Sequence, residues 1–153
     1  MQDELRTGSE GRLKVTFRDN TALILGEKAS VVIERYIFNP DRGIGETVLQ
    51  TTRGAFRFAS GEIKGLRQRK IAISTPVADI GVRGTEFWGG PINSAYGVLL
   101  LEGEVSFSNR AGRVILSAPG QGTDIPSPLG APGTPSVWPA DKVARAVASV
   151  ALH

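Results

Sequence analysis

The chain has 153 residues, a net charge of +3, 19 glycines, 9 prolines and no cysteine. That length suits one domain with a substantial core and is short for two. Lack of cysteine excludes a disulfide staple and thiolate chemistry, and with His153 as the only histidine a Ser-His triad or a histidine metal site has no base or ligand to use.

Residues 1–10 are polar and set no clear element. Gly11–Phe17 then alternates, with Leu13, Val15 and Phe17 on one side, which predicts a strand. Asp19-Asn20 is a turn, and Thr21–Leu25 resumes as a second strand. Ser30–Phe38 is apolar on both faces and suits a strand buried between layers, ending at the loop Asn39–Gly43. Strands at about 46–52 and 55–59 follow, then a basic loop over Ser60–Lys70.

Residues 71–90 carry the most information. Ile71, Ile73, Thr75 and Val77 share one side of an extended chain; the apolar set then moves to Ile80 and Val82, and returns at Thr85 and Phe87. A strand changes its buried side only through an extra residue, and Gly81 and Gly84 are the residues a bulge would use. One long, bent strand pair passing from one packed sheet towards another is expected, with Pro76 at the break or on an edge. Strands at 96–102, 104–108 and 113–117 complete the body. Residues 126–136 hold four prolines and two glycines and read as an extended linker. Pro139–Leu152 predicts the one helix, whose valines and alanines form a narrow stripe that folds back onto the sheets with Trp138 as anchor.

Signals of chemistry are sparse. Glu102 and Glu104 sit two apart on a strand, a spacing that glycoside hydrolysis could use but that also describes a solvated face around Gly103. Oxygen-only metal binding by Asp19, Asp79 or the Asn39–Asp41 loop has no calcium-loop spacing behind it. Gly81–Thr85 is no phosphate loop, because the Gly-Lys-Ser/Thr ending is missing. Lys64–Lys70 places four cations in seven residues, yet no aromatic interrupts them for base stacking, so nucleic acid is not the expected partner and a solvated loop touching anionic envelope polymers is. Arg83 either ties the bent strand to a carboxylate or grips a partner's carboxylate with its planar fork. For a glycan or small ligand, Trp88 and Tyr96 are the expected platform, with Phe87-Trp88-Gly89-Gly90 allowing close approach.

Thr7-Gly8 with Gly11–Phe17, Asp19–Gly26, Arg53-Gly-Ala-Phe56, Thr75-Pro76, Gly81-Val-Arg-Gly-Thr85 with Phe87, Leu101-Glu-Gly-Glu-Val105 and Pro119-Gly-Gln121 together resemble the FecR domain of periplasmic ferric-citrate regulators. The resemblance spans about residues 5–124 and implies an all-β, jelly-roll-like sandwich outside the cytoplasmic membrane, with no catalytic residues and no cofactor. Its motif residues here are Thr75, Pro76, Arg83, Gly84, Thr85, Phe87, Glu102 and Gly103. The linker and terminal helix lie outside that motif, and no apolar run approaches the roughly 20 residues needed to span a bilayer. The expectation is a stand-alone exported type, read without its signal or anchor and short of leading strands: residues 1–125 as the β domain, 126–137 as the linker and 138–153 as a helix packed on it. Function is expected to be non-enzymatic contact with an envelope protein, in signalling or sensing, with self-association through an open strand edge.

Overall fold

In the computed structural model, residues 3–152 are described; Met1, Gln2 and His153, the lone histidine weighed above, lie outside the described residues. The strands are β1 (Asp3–Arg6), β2 (Leu13–Thr16), β3 (Ala22–Leu25), β4 (Ser30–Asn39), β5 (Ile44–Arg53), β6 (Phe56–Ala59), β7 (Gln68–Ser74), β8 (Asp79–Ile92), β9 (Ala95–Asn109), β10 (Gly112–Leu116), β11 (Gln121–Ile125) and β12 (Ser136–Val137). The helix is α1 (Ala140–Ser149).

Pairing sorts these strands into two layers that share one hairpin. The first half of β8 pairs with β7 and with the second half of β9, and β5, β4 and β1 extend that layer on one side while β10 closes it on the other. Beyond residue 86, β8 pairs instead with β6, and β3 and β2 follow; β9 pairs there with β11, which carries β12. Between the layers lies one continuous core, with Leu23, Phe56, Phe58 and Phe87 from one side and Leu49, Ile73, Ile80 and Phe107 from the other. The all-β sandwich with one terminal helix is therefore as expected.

Details of the elements differ from the sequence reading for identifiable reasons. β1 was missed because Asp3–Arg6 has no alternation; it is held by pairing with β4 over Ser30–Ile33. β4 is buried only in its first residues, and Ile37 is 39 % exposed, so apolar character on both faces did not mean cover on both faces. β5 and β7 pair in parallel, because β6 between them crosses to the other layer and the chain must return in the same direction. The side change between Ile73 and Ile80 is a hairpin turn at residues 75–78, and Gly81 pairs regularly with Ala72 and Ser106. β9 is one strand, not two.

Segment 126–136 follows the sheets as a strap. Asn109 Nδ2 donates to Gly130 O at 2.7 Å, Gly133 N donates to Asp124 O at 2.9 Å, and Thr123 Oγ1 donates to Gly133 O. It delivers Trp138 onto the outer face of the second layer, where Gly97 and Gly122 leave room for the ring. Trp138 meets Trp88 edge-on at 6.1 Å, and with Leu99, Ala146 and Val150 they form a second apolar cluster. The helix is fastened by Trp88 Nε1 donating to Ser149 Oγ (2.9 Å), Lys142 pairing with Asp124 (2.9 Å), and Arg12 Nε donating to the Ala151 carbonyl (3.1 Å). No helix is long and apolar enough to cross a membrane, among the described residues.

Candidate functional site

Of the motif residues, Arg83, Gly84, Thr85, Phe87, Glu102 and Gly103 meet at the corner where the β8–β9 hairpin leaves one layer for the other, while Thr75 and Pro76 sit apart, in the turn that precedes β8. Arg83 stands opposite Glu104 and Glu86 opposite Glu102, so Gly84 and Thr85 on β8 face Gly103 alone on β9. A second irregularity follows at once, because Phe87 pairs with Leu100 and Leu101 is the extra residue. The two bulges compensate, and the register is the same on both sides of the bend. Each strand changes its buried side here, which explains the switch from Val82 to Thr85 and Phe87. Gly84 has φ +56° and Gly103 φ +85°, both in the left-handed region. At Gly103 a Cβ would overlap the Gly84 carbonyl oxygen; at Gly84 it would meet only the Lys64 side chain, Cδ being nearest at 3.5 Å.

Motif side chains lock that bend and, at the start of β8, the turn from β7. Thr85 N donates to Ser60 Oγ at 2.8 Å, and Thr85 Oγ1 donates to the Glu104 carbonyl. Thr75 Oγ1 accepts from Val77 N (3.2 Å) and Ala78 N (3.0 Å) and donates to Ala78 O (2.7 Å), closing the β7–β8 turn with exposed Pro76 at its tip. Phe87 is fully buried against Phe56 and Phe58. These residues spend their polar groups on the chain itself.

The expected ligand platform needs correction. Trp88 is 1 % exposed and Tyr96 9 %, so neither offers a face for a sugar ring. Trp88 is covered by the helix, and Tyr96 points into the core between layers; the unbroken apolar run from Val98 to Leu101 was the available sign that both faces are covered here. Glu102 and Glu104 flank the bulge but line different recesses, Glu102 beside Lys64 and Glu86, Glu104 beside Arg83 and Ser106. They do not form a shared carboxylate pair. Glu86 is engaged by Arg57, at 2.8 Å from Nε and 2.7 Å from Nη2.

An organising residue the sequence reading treated as a turn is Asp19. Its buried carboxylate accepts from Tyr36 OH (2.7 Å), Thr21 Oγ1 (2.7 Å), Thr21 N (3.2 Å) and Ile63 N (3.1 Å). Burial pushes its pKa up, but the hydrogen bonds from Tyr36, Thr21 and Ile63 outweigh that and hold it below the ordinary carboxylate range. Burial, with the bond to Asp19, raises the Tyr36 phenol to about 12. With Ile63 buried as a plug, this network pins the start of the basic loop and fixes where Arg67, Arg69 and Lys70 emerge. The Asp19-x-Thr21 spacing was a legible sign of a local side-chain turn; the distant partners Tyr36 and Ile63 had no local signal.

What the corner presents outward is charge. Arg83 is exposed and faces a trough of about 630 Å3 shared with Arg67, Arg69, Lys70 and Arg113. No cluster of three or more His, Cys, Asp or Glu side chains that could hold a metal occurs among the described residues.

A family model described as FecR protein matches residues 3–111. Two crystal structures from Parabacteroides distasonis ATCC 8503, each of a "putative anti-sigma factor", share the fold: one with TM-score 0.74 and 15 % identity over 94 % of this chain, the other with TM-score 0.68 and 17 % identity over 93 %. This chain spans 63 % of the length of each. No curated protein matches.

Proposed function

The chain belongs to the FecR protein family, and from that premise we propose a regulatory module of the bacterial envelope that works by binding another protein rather than by turning over a substrate. One observation carries this reading. The motif side chains Thr85 and Phe87 are used up in building the corner and Thr75 in closing the turn before β8, while Arg83 at the corner faces outward with no ion-pair partner within 4.0 Å among the described residues. A rigid corner that aims a free guanidinium at solvent offers a recognition surface, and the carboxylates Glu102 and Glu104 around it line separate recesses rather than one shared site. The fold shared with proteins described as anti-sigma factors agrees with a role in signalling. Residues 1–125 are assigned as the acting β unit, 126–137 as its strap and 138–153 as its helical cover, all outside the cytoplasmic membrane.

Self-association belongs at a sheet edge on this reading. Among the described residues β1 pairs with β4 as far as Ile33, and we take the outer edge of β4 towards Asn39 as the place where a second copy adds a strand. A glycan-binding role has lost its support, because the rings it needs are buried.

The test places a photo-crosslinking side chain at Arg83, or at Lys14 on another face, in the tagged protein in its own cell, followed by fractionation. Adducts to one envelope protein are expected. No protein adduct from either position, together with hydrolysis of a glycan or peptide that Glu102→Gln or Glu104→Gln abolishes, would overturn the proposal.

A further inference from the structure

The trough beside the corner has a flat floor and a charged rim. Gly81 on β8 pairs with Ser106 on β9, and a Cβ on Gly81 would stand 3.1 Å from Ser106 Oγ, so the floor consists of short groups over which another backbone can pass closely. Arg67, Arg69 and Lys70 reach it from the segment that opens β7, Arg83 from β8 and Arg113 from β10. All five cations are exposed, and none has a carboxylate within 4.0 Å among the described residues. Elsewhere arginines do find acids: Arg35 pairs with Glu46 and Arg57 with Glu86. Among the described residues the only acid lining the trough is Glu104, and five cations against one carboxylate leave a local excess of four, more than the +3 of the whole chain. The excess positive charge of this protein is therefore gathered on one face.

We propose that this trough docks an extended, acidic segment of a partner protein that carries an aliphatic side chain among its carboxylates. The proposal deepens the protein-binding reading above and rests on it. Arginine forks match carboxylates two bonds at a time. Ile115, 48 % exposed, stands on the same wall; it gives an aliphatic side chain something to cover and gives a phosphate polymer nothing. Among the described residues β10 pairs only with β9, and past Gly112, which lies against Ala131 and Pro132, its far edge can take an extended chain lying beside the trough.

The test is fluorescence anisotropy with a labelled synthetic peptide of glutamates around a central leucine, and with inorganic polyphosphate as the rival probe. The peptide is expected to bind at low ionic strength and to weaken at least about tenfold in Arg83→Glu/Arg113→Glu. It should weaken severalfold in Ile115→Ser and stay unchanged in Arg18→Glu/Arg53→Glu, which makes the same charge change elsewhere. Three results overturn the proposal: no peptide binding at low salt, equal loss in the control variant, or binding of polyphosphate as tight as the peptide with Ile115→Ser affecting neither. The in-cell crosslinks separate the two levels. Adducts from the Lys14 position that persist unchanged in Arg83→Glu/Arg113→Glu remove the trough but leave the protein-binding reading standing; no protein adduct from either position, together with hydrolysis that Glu102→Gln or Glu104→Gln abolishes, removes that reading itself.

Discussion

The two glycines of the corner should respond very differently to the same added methyl group. Both have positive φ, so alanine at either meets a backbone strain of about 1–2 kcal/mol. At Gly84 that is nearly all, since the new Cβ makes an ordinary 3.5 Å contact with the Lys64 side chain. At Gly103 the Cβ runs into the Gly84 carbonyl oxygen and comes 3.1 Å from Thr85 Cα. Backbone on both sides is held by pairing, so relief requires the strands to part at the bulge, for a further cost of about 1–3 kcal/mol. At about 3 °C per kcal/mol for a domain of this size, Gly84→Ala should lower Tm by about 3–6 °C and Gly103→Ala by about 6–15 °C. Melting followed by tryptophan fluorescence and far-UV circular dichroism decides it. Equal shifts in the two variants, or a larger loss at Gly84, would refute the account of the bend.

Asp19→Ala leaves buried donors from Tyr36, Thr21 and Ile63 without a partner and should cost about 3 kcal/mol or more in urea unfolding; a loss below about 1 kcal/mol would mean water replaces the carboxylate. Because the folded pKa of Asp19 is lowered, its contribution is fully present above the unfolded value near about 4 and disappears as pH falls through the folded one. Tyr36 works in the opposite direction: raised to about 12, it contributes fully below about pH 10 and loses that contribution as pH rises towards 12, so the alkaline melting transition should flatten in Tyr36→Phe. Trp138→Ala should destabilise by about 3 kcal/mol and shift Trp88 emission to the red, since it strips cover from the outer face of the second layer; an unchanged emission and melting point would show that the helix is dispensable to the fold.

Wherever alternation is local, the sequence was readable. Leu13–Phe17, the apolar run from Ile71 and the helix after Pro139 each carry their period on the surface of the text. The bend at Gly84 was visible as a change of buried side, because a bulge leaves a parity change behind. The other change, at residues 75–78, has the same signature but comes from a hairpin turn; parity alone does not distinguish the two. The parallel β5–β7 pair and the burial of Trp88 depend on which layer each strand joins and on what the helix covers. Those are long-range facts: the parallel pair leaves no local trace, and the cover over Trp88 shows only on the neighbouring strand, in the apolar run Val98–Leu101. The same holds for the trough: Lys64–Lys70 was legible as a basic run, but Arg83 and Arg113 join it only because β7, β8, β9 and β10 lie side by side.

The hairpin of β8 and β9 turns at Asn93-Ser94, both with positive φ, and belongs to both layers along its length. A sandwich whose sheets are connected only by loops has a seam, and one sheet can loosen while the other holds. Here the most central pair of strands crosses that seam. Opening either layer breaks hydrogen bonds in the same two strands that support the other, so unfolding should be a single event and amide exchange along β8 should slow to the global rate on both sides of Gly84. The bend also makes the hairpin a natural first structure in folding: a short turn closes it with little loop entropy, and each half then offers a template edge to strands far away in sequence.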